Sequence, residues 1–392
     1  MTKVITTVIA LFIIILDLIA YRRMKRSGVS RTLRYSFFGA ILFSYLLIIL
    51  VPLFMFAFIN TGNSQFMMKF SMAILTGYLF FTVSRFFLYA FWLPSKRKSM
   101  MWTGVAVSSF LMLSFVYGAF ITRTDYEIKE VELSFNNLPE SFDGYRVAFI
   151  SDIHIGSMWN PESELDKLSN VIFSADADLI LFGGDLVNLH YSELTPEILS
   201  ILNNIKGADG TFAVLGNHDT GFYIKGSTKE FRALNMASLV DSASTIGWEF
   251  LRDSTVYINN GIDSIAITGI DYSESLLAYK HSFGAIDDFN VSHIYDNISD
   301  SIFNITLSHL PQLWHLLCDG SYSDLTLAGH IHAMQMKFAG LSPAALIYDE
   351  WSGLYERPAG KLYINDGIGS VGFFARIGAR PEVTVITLRT EK

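Results

Sequence analysis

The sequence predicts two architectures in series, an N-terminal four-helix transmembrane region and a C-terminal α/β domain. Three observations carry this reading. Four apolar stretches occupy the first third of the 392 residues, near positions 4–21, 36–59, 66–93 and 101–121. Charge changes sign along the chain: residues 1–123 hold thirteen Lys and Arg and one acid, Asp17, whereas residues 124–392 hold sixteen basic and thirty-six acidic residues. Finally, five short apolar runs in the second part each stop at Asp, Asn or His. The shift from a net +12 to a net −20 sets the domain boundary between residues 123 and 124.

Each apolar stretch in the first part is long enough to cross about 30 Å of hydrocarbon as a helix, and none shows the polar face that a core helix presents. The first connection carries Arg22, Arg23, Lys25, Arg26, Arg31 and Arg34, and the third carries Lys96, Arg97 and Lys98. The second connection, NTGNSQ, has no charge. Cations concentrate in short cytoplasmic loops, so both chain ends and the acidic domain are expected outside a cytoplasmic or plasma membrane. The first helix does not read as a cleaved signal, because its positive cluster follows the apolar run. Away from the span ends, two charges fall inside the spans, Asp17 and Arg85. A relay role competes with a structural ion pair, and the ion pair is the preferred reading.

In the second part the runs appear in the order RVAFISDIH, DLILFGGD, GTFAVLGNHD, NITLSH and DLTLAGHIH. Four to six apolar residues in a row read as a strand buried on both faces, as in parallel sheets. Ligands of open α/β sheets bind at the carboxyl ends of strands. Those ends carry Asp152, His154, Asp185, Asn217, His218, Asp219, His309, His330 and His332. Oxygen ligands mixed with imidazoles, and no thiolate, suit Mn, Fe, Zn or Co. Four further histidines lie outside the runs and read as ordinary polar residues. Asp271, ending the run SIAITGID, is a weaker candidate for the site. The lone Cys318 permits no intrachain disulfide and reads as a small buried apolar residue.

The order and spacing of these motifs resemble the calcineurin-like metallophosphoesterase superfamily, in its membrane-anchored branch of YkuE-type phosphodiesterases. The resemblance spans roughly residues 140–392, including the tail YINDGIGSVGFFARIGARPEVTVITL. It implies a two-sheet β sandwich flanked by helices and two divalent metal ions. One ion would take Asp152, His154, Asp185 and His332; the other would take Asp185, Asn217, His309 and His330, with Asp185 bridging. His218 would face the substrate, and Asp219 would orient it or cap a helix. Relatives in that branch commonly read GHTHGGQ where this chain reads GHIHAMQ, so Ala333 and Met334 stand at glycine positions.

The expected activity is metal-dependent hydrolysis of a phosphate mono- or diester by a hydroxide shared between the two ions, with a lipid-linked ester among the substrates. The apolar stretch after His332, MKFAGLSPAALIYDEWSGLYE, reads first as ordinary packing and alternatively as a lip for an acyl or prenyl chain. The alternatives are a tethered, low-specificity nucleotide or cyclic-nucleotide phosphodiesterase and a nonenzymatic metal-binding scaffold. A domain of net charge −20 repels polyanions, which argues against nuclease activity.

Overall fold

The computed structural model describes residues 2–58, 64–299 and 301–391, with side chains from Leu11 onward in the first helix. The chain divides into two compact units, one of residues 1–119 with 372–375 and one of residues 120–371 with 376–392.

The first unit contains α1 (Thr2–Arg26), α2 (Arg31–Phe58), α3 (Ser64–Trp92) and α4 (Lys98–Phe120). Among the described residues, three helical segments are long and apolar enough to cross a membrane: Arg31–Val51, Met68–Trp92 and Lys98–Thr124. The expectation of four spans is corrected to three. The stretch over 4–21 lies within α1, and the side chains of its first part, residues 4–10, lie outside the described residues. Most of the uncharged loop NTGNSQ lies outside the described residues.

Asp17 and Arg85 are both buried and form an ion pair, Arg85 Nε lying 3.2 Å from Asp17 Oδ1. Tyr45 and Tyr89 donate their hydroxyls to the same carboxylate at 2.8 and 2.7 Å. A charge removed from water needs such partners, so α1 is fastened to α2 and α3 through one buried cluster.

The second unit is a pair of six-stranded mixed sheets. Its strands are β1 (Glu127–Phe135), β2 (Arg146–Ile150), β3 (Leu179–Phe182), β4 (Thr211–Ala213), β5 (Trp248–Phe250), β6 (Ser254–Asn259), β7 (Ser264–Gly269), β8 (Asn304–Leu307), β9 (Leu325–Ala328), β10 (Gly353–Arg357), β11 (Gly360–Ile364) and β12 (Glu382–Thr390). Its helices are α5 (Pro161–Ser174), α6 (Pro196–Leu202), α7 (Lys229–Ser244), α8 (Ser292–Tyr295) and α9 (Trp314–Asp319). One sheet runs β1-β12-β2-β3-β4-β5 and the other β10-β11-β9-β8-β7-β6. In the first sheet β2 through β5 are parallel, and in the second β7, β8, β9 and β11 are parallel.

The strands explain their own composition. Along β2, Val147 and Phe149 pack with Ile265, Ile305 and Leu325 of the opposite sheet, while Ala148 and Ile150 pack under Leu165 and Leu168 of α5. Both faces of the strand are dry, so an unbroken apolar run is what the position requires. The helices begin at legible caps: Asn160 accepts from the Ser163 amide before Pro161, and Thr228 accepts from the Phe231 amide. Cys318 lies within α9 and packs with Trp314, Ala328 and Leu362.

Candidate metal centre

The carboxyl ends of β2, β3, β4, β8 and β9 bring seven of the named residues together. Asp152 and His154 follow β2, Asp185 follows β3, Asn217 follows β4, His309 follows β8, and His330 and His332 follow β9. Asp152, His154 and His332 form one group with converging ligand atoms, and Asp185, His309 and His330 form another. His332 Nε2 lies 3.1 Å from Asp152 Oδ1 and 3.2 Å from His154 Nε2. On the other side Asn217 Oδ1 lies 2.9 Å from both His309 Nε2 and His330 Nδ1.

Asp185 stands between the groups. Its Oδ2 is 3.6 Å from His154 Nε2 and 3.3 Å from His309 Nε2. The other oxygen, Oδ1, accepts the His218 backbone amide at 2.8 Å. A single oxygen of Asp185 thus faces both groups.

The backbone at these positions is unusual. Asp152, His154, Asp185, His330 and His332 have φ of 57°, 47°, 60°, 73° and 55°. A left-handed conformation costs an L-residue roughly 1–2 kcal/mol and persists only where surrounding structure imposes it. The chain thus makes left-handed kinks after β2, β3 and β9, and these turn candidate ligand side chains inward. Two glycines make the close approaches possible. A Cβ at Gly216 would strike Asp185 Oδ1, and one at Gly329 would strike Asp152 Oδ2. Ala333 and Met334 continue the left-handed run, at 48° and 49°, where glycine would carry no such strain.

The electrostatics fit divalent cations. The Asp152 and Asp185 side chains are wholly or almost wholly buried. Burial alone would raise both carboxyls, but His332 holds Asp152, and His309 holds Asp185, well below the usual carboxylate range. Burial drives His330 down to about 3 and, with the charge of His218, pulls His154 well below an ordinary imidazole. Asp185, acting against burial, lifts His309 to about 9. His309 also sets its Nδ1 2.8 Å from the Gly183 carbonyl, which leaves Nε2 facing the centre. Such a bond fixes the tautomer of a ligating imidazole. Two buried carboxylates with converging imidazoles and an amide oxygen make a donor set that could hold divalent metal.

His218 lies beside these groups. Its Nδ1 is 2.7 Å from the Asn188 carbonyl, so the ring donates there and Nε2 is left as its reactive atom. Burial lowers its pKa, with the Asp185 charge opposing. The expected role of Asp219 is corrected. It neither orients the His218 ring nor caps a helix, since α7 begins ten residues later. Instead Asp219 Oδ2 accepts the amides of Asp185 and Gly216 at 2.8 and 2.9 Å, and Oδ1 accepts that of Val187 at 3.0 Å. A buried carboxylate stitches the two loops that carry Asp185 and Asn217.

Three further residues escaped the sequence reading. Glu193, buried, accepts the amides of Gly156, Asn188 and Leu189, and so couples the loop after His154 to the loop after Asp185. Arg376, wholly buried, sets Nη2 3.3 Å from His332 Nδ1. Tyr223 accepts a hydrogen bond from Asn217 Nδ2 at 2.9 Å and stacks on His218. None stands beside a motif-ending strand, and only Tyr223 is close enough in sequence to Asn217 to be suspected. Asp271 is not part of the centre; it pairs with both donors of Arg252 at 3.1 and 2.9 Å.

A protein-family model described as calcineurin-like phosphoesterase matches residues 145–334. Among curated proteins, a metallophosphoesterase of Bacillus subtilis, YkuE, is 25% identical over 285 residues, covering 70% of this chain and 89% of that protein. A Danio rerio transmembrane protein with a metallophosphoesterase domain is 27% identical and covers 70% of this chain and 60% of its own length. The UDP-2,3-diacylglucosamine pyrophosphatase LpxG of Chlamydia trachomatis is 24% identical, covering 59% of this chain and 81% of that protein.

Proposed function

Because the chain carries a calcineurin-like phosphoesterase domain over residues 145–334, we propose that it is a membrane-bound hydrolase that cleaves a lipid-linked phosphate mono- or diester with two divalent metal ions. The position of Asp185 Oδ2 between the two ligand groups is the observation that carries the dinuclear reading. Asp152, His154, Asp185 and His332 would hold one ion; Asp185, Asn217, His309 and His330 would hold the other. When bound, such a pair supplies a nucleophilic water of lowered pKa and neutralises charge on the phosphoryl oxygens. The Gly183 carbonyl keeps His309 Nε2 bare, and Asp219 keeps the Asp185 and Asn217 loops in register. His218 Nε2 is the atom suited to hold or deliver a proton at the leaving oxygen.

The lipid-linked substrate is supported by the segment after His332. Phe338, Leu341, Leu346 and Ile347 are 72%, 72%, 89% and 42% exposed there. Clustered exposed apolar side chains mark a binding surface. The name of the Chlamydia relative, a pyrophosphatase of a diacylated sugar nucleotide, points the same way. Purified full-length protein supplied with Mn should hydrolyse a lipid phosphoester with a kcat/KM at least about tenfold above that of its water-soluble analogue. Burial of two methylenes suffices for that factor, at about 0.8 kcal/mol each. Equal efficiency on the two esters would leave the tethered, low-specificity phosphodiesterase as the better reading.

Sidedness follows from the basic loops. The cations at Arg22–Arg34 and at Lys96–Lys98 flank the α2–α3 pair of spans, and placing both loops in the cytoplasm puts the domain after α4 outside. This argument holds whether or not α1 crosses the bilayer. An impermeant protease added to intact cells, or to spheroplasts where an outer membrane exists, is expected to cut within residues 124–392 and to spare the loop at 96–98. Protection of the domain would reverse the orientation.

A further inference from the structure

The geometry points to Tyr223 as a catalytic residue whose phenolic O–H donates to a nonbridging oxygen of the bound phosphoester. This rests on the phosphoesterase reading and adds a substrate contact that no metal-ligand motif contains. Three observations carry it.

First, the centre is open on one side. Asp152, His154, Asp185, Asn217, His309 and His332 are buried, while His218 and His330 are half-buried and Tyr223 is 37% exposed. A phosphate arriving from water therefore meets Tyr223, His218 and His330 before any other group of the site. Second, the hydroxyl is directly attached to the ligand set. Asn217 Nδ2 donates to Tyr223 Oη at 2.9 Å, while the amide oxygen of Asn217 faces His309 and His330. Because the hydroxyl oxygen is already accepting, its own proton points elsewhere, and among the described residues no acceptor takes it. Third, the ring is fixed. It stacks on His218 with centroids 4.4 Å apart and planes 29° from parallel. The phenol is thereby held against the His218 ring.

The two groups have separable tasks. His218 serves the leaving oxygen, where a proton must end. Tyr223 serves an oxygen that keeps its bonds to phosphorus while charge grows on it, and no proton changes hands. A donor aimed at developing oxyanion charge is worth about 10²–10³ in turnover. Its value does not depend on how good the leaving group is, which separates it from a general acid.

The test is Tyr223→Phe in the full-length, Mn-supplied protein, since phenylalanine keeps the stack on His218. Bound metal per chain should stay at the wild-type level. The dissociation constant for inorganic phosphate should rise, and kcat/KM should fall about 10²-fold, equally for a nitrophenyl and an alkyl phosphoester. Activity and phosphate binding within twofold of wild type would overturn the assignment. So would a loss of bound metal, which would make Tyr223 a positioning residue that acts only through Asn217. If the wild type binds phosphate but cleaves neither ester, the phosphoesterase reading fails instead, and the phosphate affinity of the variant still decides whether Tyr223 is a donor.

Discussion

Asp185→Asn is expected to remove nearly all hydrolysis and to lower metal occupancy while the domain stays folded. The Asp185 oxygen facing both His154 and His309 is the only carboxylate oxygen within 4 Å of a ring nitrogen from each ligand group among the described residues. An amide has one oxygen and no charge, so it cannot both neutralise a second cation and keep its present hydrogen bond. Losing an outer-shell partner of a ligand already costs 10–100-fold in metal affinity; losing a shared ligand should cost at least about 10²-fold. Folding should survive because the amide oxygen can still accept the His218 N–H, and the backbone N–H of residue 185 still donates to Asp219. Element analysis on folded variant, alongside turnover, checks this. Two metals bound with near-wild-type activity would sink the bridging assignment.

The second large effect separates proton delivery from metal binding. His218→Ala should keep both metals and lose on the order of 10²–10⁴ in turnover, the range of general acid–base assistance. The metals should stay because the contact from residue 218 to Asp185 runs through the backbone amide, which alanine retains. The loss should shrink for a nitrophenyl ester, whose leaving group departs without a proton. An equal loss for good and poor leaving groups would make His218 a binder of the phosphoryl oxygen. A loss of metal would make it a ligand, since its ring also lies within reach of His154 and Asp185.

Much of the domain was legible because its chemistry sits where its secondary structure is simplest. A strand buried on both faces must be apolar throughout, so Phe149, Leu181 and Leu327 announce β2, β3 and β9, and the first polar residue past the run marks the sheet edge. The gathering of these polar residues at one edge was therefore readable, and so was the pairing of two sheets once the motifs were seen together. Glu193 was not readable, because accepting four backbone amides leaves no signature in a loop sequence. Asp219 was noticed for its place in GNHD but given the wrong partner: its distance in sequence from His218 is one residue, yet its oxygens reach across to Val187 and Asp185. Tyr223 depends on a turn whose path no periodicity reports. In the N-terminal region, apolar length alone suggested a span at 4–21, while the charges clustered in the second half of α1 set it apart from the other three.

The left-handed backbone of the ligand residues has a consequence for how such a centre persists over evolutionary time. Asp152, His154, Asp185, His330 and His332 each hold a conformation that glycine would adopt without penalty. Several also keep charge or a polar ring in a dry interior. Glycine at any one of them would relieve backbone strain, so folding alone does not call for these residue types, and only selection on turnover can preserve the set. A lineage released from the need for hydrolysis would drift at these positions and keep the two sheets.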